Sequence, residues 1–212
     1  MKQFAVLGLG RFGTSLALSL MSMGNQVLGI DVDEERVNLL ADELTHAVIV
    51  DMTDGASLKA LGLGNMDAVL VCTGDVQTSI MTTVLLKDIG VKKVICKAND
   101  DLHERILLKV GADQVVFPER DMGQRLAYAV AQSSVIEYIE LSKEYSLAEV
   151  RVLQEWKGKT LIEANIRAKY GLNVVAIRRQ GGIMVSPRGD VAMEADDVLV
   201  VIGKNSDISA LG

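Results

Sequence analysis

Short apolar runs alternate with amphipathic stretches from Phe4 to Phe117. The runs lack polar alternation, which is typical of parallel strands covered by helices on both faces, and the stretches between them carry apolar residues at helical spacing. This order predicts an α/β domain with a doubly wound parallel sheet of the Rossmann-like type. The predicted strands cover residues 4–7, 26–30, 46–50, 68–72, 93–97 and 114–117.

The pattern changes beyond Pro118. Apolar residues at helical spacing predict helices over 120–134 and 135–141, which would close the first domain or pack on another copy. Beyond Glu144 the spacing becomes two and predicts strands, a helix over 161–169 is expected to end at Gly171, and Gly181-Gly182 indicates a hairpin turn. The sequence therefore predicts a first domain over 1–134, a helical linker over about 120–142 and a small C-terminal α+β domain over 143–212.

Three glycines follow the first strand at the spacing G-x-G-x-x-G. Gly8 allows a tight turn, Gly10 lets a diphosphate approach the main chain, and Gly13 lets the following helix pack on the strand. The second strand ends in Asp31, whose carboxylate can accept hydrogen bonds from both hydroxyl groups of a ribose. Together these features predict a nucleotide site, and a glycine turn without a ligand is the alternative.

Ligands of doubly wound sheets bind beyond the carboxyl ends of the strands, near the reversal of strand order. Arg11 lies inside the glycine turn, where its guanidinium can contact a terminal phosphate. Glu119 and Asp121 could bind a hard cation that bridges phosphates, or serve as carboxylates at a helix N-terminus. The residues predicted to form the pocket are Gly8, Gly10, Arg11, Phe12, Gly13, Asp31, Asp51, Met52, Thr53, Thr73, Gly74, Asp75, Lys97, Ala98, Asn99 and Glu119.

The composition and charge of the chain exclude several classes of protein. The chain has 212 residues, a net charge of −6 and no basic block, so nucleic acid is not expected as a partner. No apolar run approaches the length of a spanning helix and no signal peptide precedes the first strand, so we expect a cytoplasmic protein. Cys72 and Cys96 lie in apolar runs and are expected to be reduced, buried thiols. Apolar side chains such as Val84 and Leu102 exceed what helices packed on a sheet need, which predicts isologous dimers that build into a ring.

The sequence offers little for catalysis. His46 and His103 are expected at surface or capping positions, and no Ser/His/Asp, Cys/His or metal-ligand spacing is present. We therefore expect a binding protein and not an enzyme. An NAD(H)-dependent oxidoreductase is the alternative, because the same fold and Asp31 also suit NAD.

Several stretches together point to one family: residues 8–13 with Arg and Phe inside the turn, Asp31, the turn 111–113 followed by Pro118-Glu119, and the run 165–171. With these the chain resembles the cytosolic regulatory subunits of Ktr and Trk potassium-uptake systems, in particular the KtrA/KtrC type. The resemblance implies an RCK (TrkA-N) domain that binds ATP or ADP and a TrkA-C domain. It also implies octameric rings that control ion flux through a membrane-embedded, potassium-translocating subunit of the KtrB, KtrD or TrkH type, at the inner face of the membrane.

The same resemblance assigns roles to residues of the pocket. Residues 8–13 would hold the phosphates, Arg11 the terminal phosphate of ATP, and Asp31 the ribose. Asp51 and Met52 would lie beside the adenosine. The remaining positions that the resemblance assigns are Lys97 and Asn99 on the pocket wall, and Glu119 at a divalent cation, Mg²⁺ or Ca²⁺.

Gram-positive members of this family bind cyclic di-AMP between two copies of the small domain. We predict that Ile162, Ile166 and Arg167 are exposed together, an arrangement that suits the bases and phosphates of such a ligand. Alternatively, Ile162 and Ile166, four residues apart, form the buried stripe of a short helix. The matching positions are Leu161, Ile162, Asn165, Ile166, Arg167, Val174 and Pro187.

Overall fold

The computed structural model describes residues 1–131 and 134–211. The chain forms two compact units, Met1–Pro118 and Glu119–Gly212. This boundary lies ahead of the predicted domain end at 134. The helix that begins at Pro118 contributes Tyr128 to the core of the second unit.

Within the described residues, the first unit contains a six-stranded sheet in which neighbouring strands are parallel. Its strands are β1 (Gln3–Leu7), β2 (Gln26–Asp31), β3 (His46–Ile49), β4 (Ala68–Val71), β5 (Val94–Lys97) and β6 (Gln114–Val116). Their spatial order is β3-β2-β1-β4-β5-β6, so the order reverses between β1 and β4. The predicted doubly wound sheet is confirmed, and the glycine turn that follows β1 lies at its switch point.

Helices connect these strands, and most of them begin with an aspartate. They are α1 (Arg11–Ser22), α2 (Glu34–Leu40), α3 (Gly55–Ala60), α4 (Val76–Asp88) and α5 (Asp101–Lys109), with a short 3₁₀ turn at Leu63–Asn65. The carboxylates of Asp33, Asp54, Asp75 and Asp100 accept backbone N–H groups in the first turns of α2 to α5. Helix α1 differs, because Gly10 at its N-cap has no side chain to accept such a bond.

The core of the first unit has one layer on each face of the sheet. Along β1, Ala5 and Leu7 pack into one cluster and Val6 into the other, as the alternation of a strand requires. Cys96 belongs to the first cluster and Cys72 to the second, and both are buried and free. The prediction of buried thiols is confirmed.

The second unit is a small α+β domain, as predicted. Its elements are α6 (Pro118–Ala131), β7 (Val135–Glu140), β8 (Tyr145–Arg151), α7 (Leu161–Ala164), α8 (Ile166–Tyr170), β9 (Asn173–Arg179), β10 (Gly182–Val185), β11 (Val198–Lys204) and α9 (Asn205–Ser209). Its described strands form an antiparallel sheet in the order β10-β9-β11-β8-β7. The predicted hairpin between β9 and β10 is confirmed, with Gly181 at φ 97°.

The predicted helix over 135–141 is wrong. This segment forms β7, which pairs with β8 so that Tyr138 lies opposite Ala148, with a register shift between Val135 and Glu137. The segment is rich in β-branched and aromatic residues, and pairing with β8 outweighs the apparent helical spacing. The helix predicted over 120–134 is observed as α6, and residues 132 and 133 of that prediction lie outside the described residues.

The helix predicted over 161–169 is broken in two. Asn165 adopts the left-handed conformation, with φ 49°, and separates α7 from α8. A short polar side chain makes Asn one of the few residues that tolerate this conformation. Gly171, with φ 69°, ends α8 as predicted.

Candidate functional site

Two of the three glycines in the turn are required by packing. Gly8 has φ 95°, and a Cβ there would lie 2.8 Å from the backbone nitrogen of Thr73. A Cβ on Gly13 would overlap the carbonyl oxygen of Gly8. Gly10 has open space around it, so its backbone is accessible to a ligand at the start of α1. The packing explains the predicted need for glycine at Gly8 and Gly13, and the approach of a diphosphate at Gly10 stays a prediction.

Asp31 is joined to the glycine turn by a hydrogen bond. The residue is 3% exposed, and Oδ2 of its carboxylate accepts the backbone N–H of Leu9 at 2.6 Å. Its Oδ1 accepts the N–H of Asp33 at 3.0 Å. The guanidinium of Arg36 lies 3.5 Å from Oδ2. A carboxylate at the end of β2 is therefore fixed against the turn that follows β1.

A cavity of about 450 Å³ opens at this edge of the sheet. Most of its lining comes from the predicted pocket: Gly8, Gly10, Asp31, Asp51, Met52, Thr53, Thr73, Gly74 and Asp75. Sequence reasoning missed Val32, Arg36, Cys72 and Thr78. Closeness to a strand end could have indicated them. Val32 and Cys72 lie at or just beyond the end of a predicted strand, and Arg36 and Thr78 lie six residues beyond one.

Other predicted residues lie elsewhere. Arg11 is exposed and lines a neighbouring groove that shares Gly10 and Arg36 with the cavity. Phe12 packs against the core, and Ala98 is 2% exposed within it. The Asn99 side chain is exposed and donates to the carbonyl oxygen of Gly74 at 2.8 Å, so Asn99 contacts a residue that lines the cavity without lining it itself. The other predicted residues that do not line the cavity are Lys97, half-buried at the end of β5, Gly13, which packs on Gly8, and Glu119, in the first turn of α6.

The cavity is rich in carboxylates that are held ionised. Hydrogen bonds from the hydroxyl and backbone N–H of Thr53 lower the pKa of Asp51. Hydrogen bonds from Thr78 lower the pKa of Asp75. Burial raises the pKa of the Cys72 thiol to about 12, so it stays protonated at neutral pH. This part of the site is equipped to accept hydrogen bonds from neutral hydroxyl or amino groups.

The two histidines differ. His46 is exposed, as predicted. His103 is 2% exposed and not at the surface, and its Nδ1 accepts the backbone N–H of Asn99 at 3.3 Å. Its role is local capping ahead of α5, one of the two roles predicted for it.

The residues predicted to bind a ligand in the small domain are only partly exposed together. Ile162 is 70% exposed, and its N–H donates to the carbonyl oxygen of Gly189 at 3.0 Å. Arg167 is exposed, but Ile166 is 2% exposed and packs into the domain core. The prediction that Ile166 is exposed is therefore wrong, since α8 turns it inward. The other positions of this set are Leu161, Val174 and Pro187, which are half-buried, and Asn165, which is exposed.

Neither a metal cluster nor a membrane-spanning helix occurs among the described residues. No group of three or more His, Cys, Asp and Glu side chains there is placed to hold a metal ion. A divalent cation at Glu119 stays a prediction. None of the helices in the described part of the chain is long and apolar enough to span a membrane.

The sheet order, the glycine turn and the buried carboxylate after β2 define a Rossmann-like nucleotide-binding type of domain, joined to a small antiparallel domain. The TrkA-N domain family matches residues 4–118, and the TrkA-C domain family matches residues 147–212. The chain belongs to the family of Ktr and Trk system potassium uptake proteins. The resemblance seen in the sequence is thereby confirmed.

Two relatives come from Bacillus subtilis (strain 168). Ktr system potassium uptake protein C is 47% identical over 209 residues, which cover 98% of this chain and 95% of that protein. Ktr system potassium uptake protein A is 41% identical over 208 residues, covering 98% and 94%.

Solved structures share the fold. A structure described as the GsuK channel bound to NAD aligns with a TM-score of 0.70 at 19% identity, over 99% of this chain and 38% of that one. A structure of GsuK bound to ADP aligns with a TM-score of 0.55 at 17% identity, over 60% and 34%. The present chain thus spans well under half of the GsuK chain.

Proposed function

We propose that this chain is the nucleotide-binding regulatory subunit of a potassium-uptake system and that it acts by binding and not by catalysis. The observation that carries the proposal is the 2.6 Å hydrogen bond from the Leu9 N–H to Asp31 Oδ2. It fixes an acceptor for a ribose against a turn whose open glycine admits phosphates. The family supplies the context, because its named relatives are potassium uptake proteins.

The shape of the site favours an adenine nucleotide such as ATP or ADP. Val32 and Met52 give the cavity apolar surface that suits a base, and Asp31 suits the ribose hydroxyls. The carboxylates of Asp51 and Asp75 repel phosphates, so the phosphates would extend toward the uncapped start of α1. NAD(H) shares the ADP moiety and would enter in the same way. The fold is also one on which the GsuK chains hold NAD and ADP.

The side chains that line the cavity suit ligand binding better than catalysis. Among the described residues that line the cavity there is no histidine or lysine. Asp51 and Asp75 carry lowered pKa values and are poor general acids at neutral pH, and the Cys72 thiol is protonated. Asp51, Asp75 and Cys72 therefore suit holding and orienting a ligand better than donating a proton to it.

Exposed apolar side chains on α4, α5 and α6 favour self-assembly of the chain. Met122, Leu126 and Val130, four residues apart along α6, are 57%, 61% and 77% exposed. Val84 and Leu102, on α4 and α5, are 38% and 63% exposed. Such surfaces support homodimers that build into an octameric ring, docked at the inner face of the membrane on a potassium-translocating subunit. Light scattering that reports a monomer at micromolar concentration would contradict the ring.

Calorimetry on the full chain tests the nucleotide site with ATP, ADP, NAD and NADH. Asp31→Asn is expected to weaken ATP and ADP by about 1.5–3 kcal/mol, because the ribose loses a charged acceptor. Asp42→Asn, an exposed carboxylate that does not line the cavity, is the matched control. Equal effects of the two variants would contradict the site. Steady turnover of NADH with a small carbonyl compound would favour the oxidoreductase alternative.

A second ligand, cyclic di-AMP, is proposed for the small domain. Ile162 and Arg167 are exposed, and Asn165 and Ser186 adopt positive φ values of 49° and 52° on the segments around them. Non-glycine residues in such conformations concentrate at ligand sites. We expect one cyclic di-AMP per two chains, with binding lost in Arg167→Ala and kept in Lys169→Ala. Full binding by Arg167→Ala would contradict the site.

A further inference from the structure

Arg36 lies between two depressions at the glycine turn, the cavity that contains Asp31 and the groove that contains Arg11. It lies in the first turn of α2, where the side chain of Asp33 accepts its backbone N–H. Arg36 and Gly10 are shared by the cavity that contains Asp31 and by the groove that contains Arg11. Its guanidinium therefore stands between the proposed positions of the nucleoside and of the phosphates.

The guanidinium is held there by two carboxylates. Its Nη1 lies 3.5 Å from Asp31 Oδ2, and its Nε lies 3.2 Å from Asp33 Oδ2. The side chain of Arg36 is 51% exposed and that of Asp31 is 5% exposed, so water competes with Asp31 for the guanidinium from the open side. The contact with Asp31 is also longer than a good hydrogen bond, so it is easily exchanged for another partner.

The same carboxylate oxygen already has another donor. Asp31 Oδ2 accepts the N–H of Leu9 at 2.6 Å, while Oδ1 accepts the N–H of Asp33 at 3.0 Å. A carboxylate oxygen accepts about two hydrogen bonds, so the ion pair with Arg36 and a ribose hydroxyl compete for the one acceptor direction of Oδ2 that Leu9 leaves. A ribose hydroxyl that donates to Oδ2 therefore competes with the guanidinium of Arg36.

We propose, on the basis of the nucleotide-binding function, that Arg36 exchanges Asp31 for a ligand phosphate and so makes the site selective for nucleotides over nucleosides. A neutral nucleoside displaces the guanidinium and offers it no new partner. A nucleotide places an anion on the Gly10 side of Arg36, where the released guanidinium can form a charge-assisted hydrogen bond. Arg36 is then a specificity residue that senses the charge of the ligand, and Arg11 remains available for the terminal phosphate.

The test is the ratio of two affinities on the full chain. The dissociation constants of adenosine and of ADP are measured by NMR titration and calorimetry for the wild type, Arg36→Gln and Arg36→Lys. We expect the preference for ADP to fall about tenfold in Arg36→Gln, through weaker ADP binding, while adenosine binds as well as before or better. Arg36→Lys keeps the charge and should keep most of the preference. Arg105→Gln removes an exposed arginine of α5 that lines neither depression and controls for net charge.

The outcomes separate the two proposals. An unchanged preference in Arg36→Gln, or equal losses in Arg36→Gln and Arg36→Lys, would contradict the role of Arg36 and leave nucleotide binding intact. Failure of the wild type to bind either compound would contradict the nucleotide-binding function, and the role of Arg36 with it. Circular dichroism confirms that each variant is folded, and adenosine binding confirms that its ribose acceptor is intact.

Discussion

The two candidate sites are built from different parts of the chain. In the first unit the site is mainly backbone: glycines pressed against neighbouring main chain, and a buried carboxylate that accepts the N–H of Leu9. In the small domain it consists of side chains on α7 and α8, which are four and five residues long and meet at Asn165. The first site is thus inseparable from the fold, whereas the second presents exposed side chains, Ile162 and Arg167, whose loss the fold can tolerate.

The largest effect is expected from adding one methyl group to the glycine turn. In Gly13→Ala the new Cβ would overlap the Gly8 carbonyl, and we expect the first unit to lose about 3 kcal/mol or more. Gly10→Ala is the matched control, since nothing lies within 4 Å of its Cβ position and its φ is −70°. It should change stability by no more than about 0.5 kcal/mol and yet weaken ADP, because its methyl group stands where a phosphate approaches. Urea unfolding followed by circular dichroism measures the first effect, and similar stability of the two variants would contradict the packing role of Gly13.

A smaller effect should separate two isoleucines of the small domain. Ile166→Ala removes a side chain that is 2% exposed and should cost about 2–4 kcal/mol, whereas Ile162→Ala, at 70% exposure, should cost no more than about 0.5 kcal/mol. Trp156, the single tryptophan and 1% exposed in the same core, reports unfolding by fluorescence. Only Ile162→Ala should lower the affinity for cyclic di-AMP without lowering stability. Equal stability losses would show that both isoleucines belong to the buried stripe.

The contrast between the units also explains what the sequence could predict. The parallel strands, the glycine roles and Asp31 follow from local patterns, because a buried strand and a G-x-G-x-x-G turn carry their geometry within a few residues. The strand over 135–140 was not predicted because its apolar residues also fit helical spacing, and the pairing with β8, the next strand along the chain, decides between the two structures. Arg36 was not predicted because no motif marks it. Its importance comes from its contact with Asp31, on the preceding strand.

The smallest expected effect is the loss of stability at acidic pH, which should differ between the two units. Burial lowers the pKa of His103, against an opposing effect of Asp100, so the folded first unit binds a proton at His103 less readily than the unfolded chain does. Stability from His103 is therefore complete above the unfolded value of 6.5 and is lost as the pH falls below it. In the second unit, hydrogen bonds from Arg179 lower the pKa of Asp197, so its stability persists until the pH falls below the unfolded value of 3.8.

Between pH 6.5 and pH 5 we therefore expect the first unit to weaken while the second does not. Urea unfolding at pH 7.5 and pH 5 should show the loss in the circular dichroism signal of the first unit and not in Trp156 fluorescence. His103→Asn keeps an acceptor near the position of Nδ1 but stays neutral, so its stability should be less sensitive to pH than that of the wild type over this range. The same pH dependence in wild type and variant would show that His103 is not the responsible group. Parallel loss in both signals would show that the two units do not differ in their response to acid.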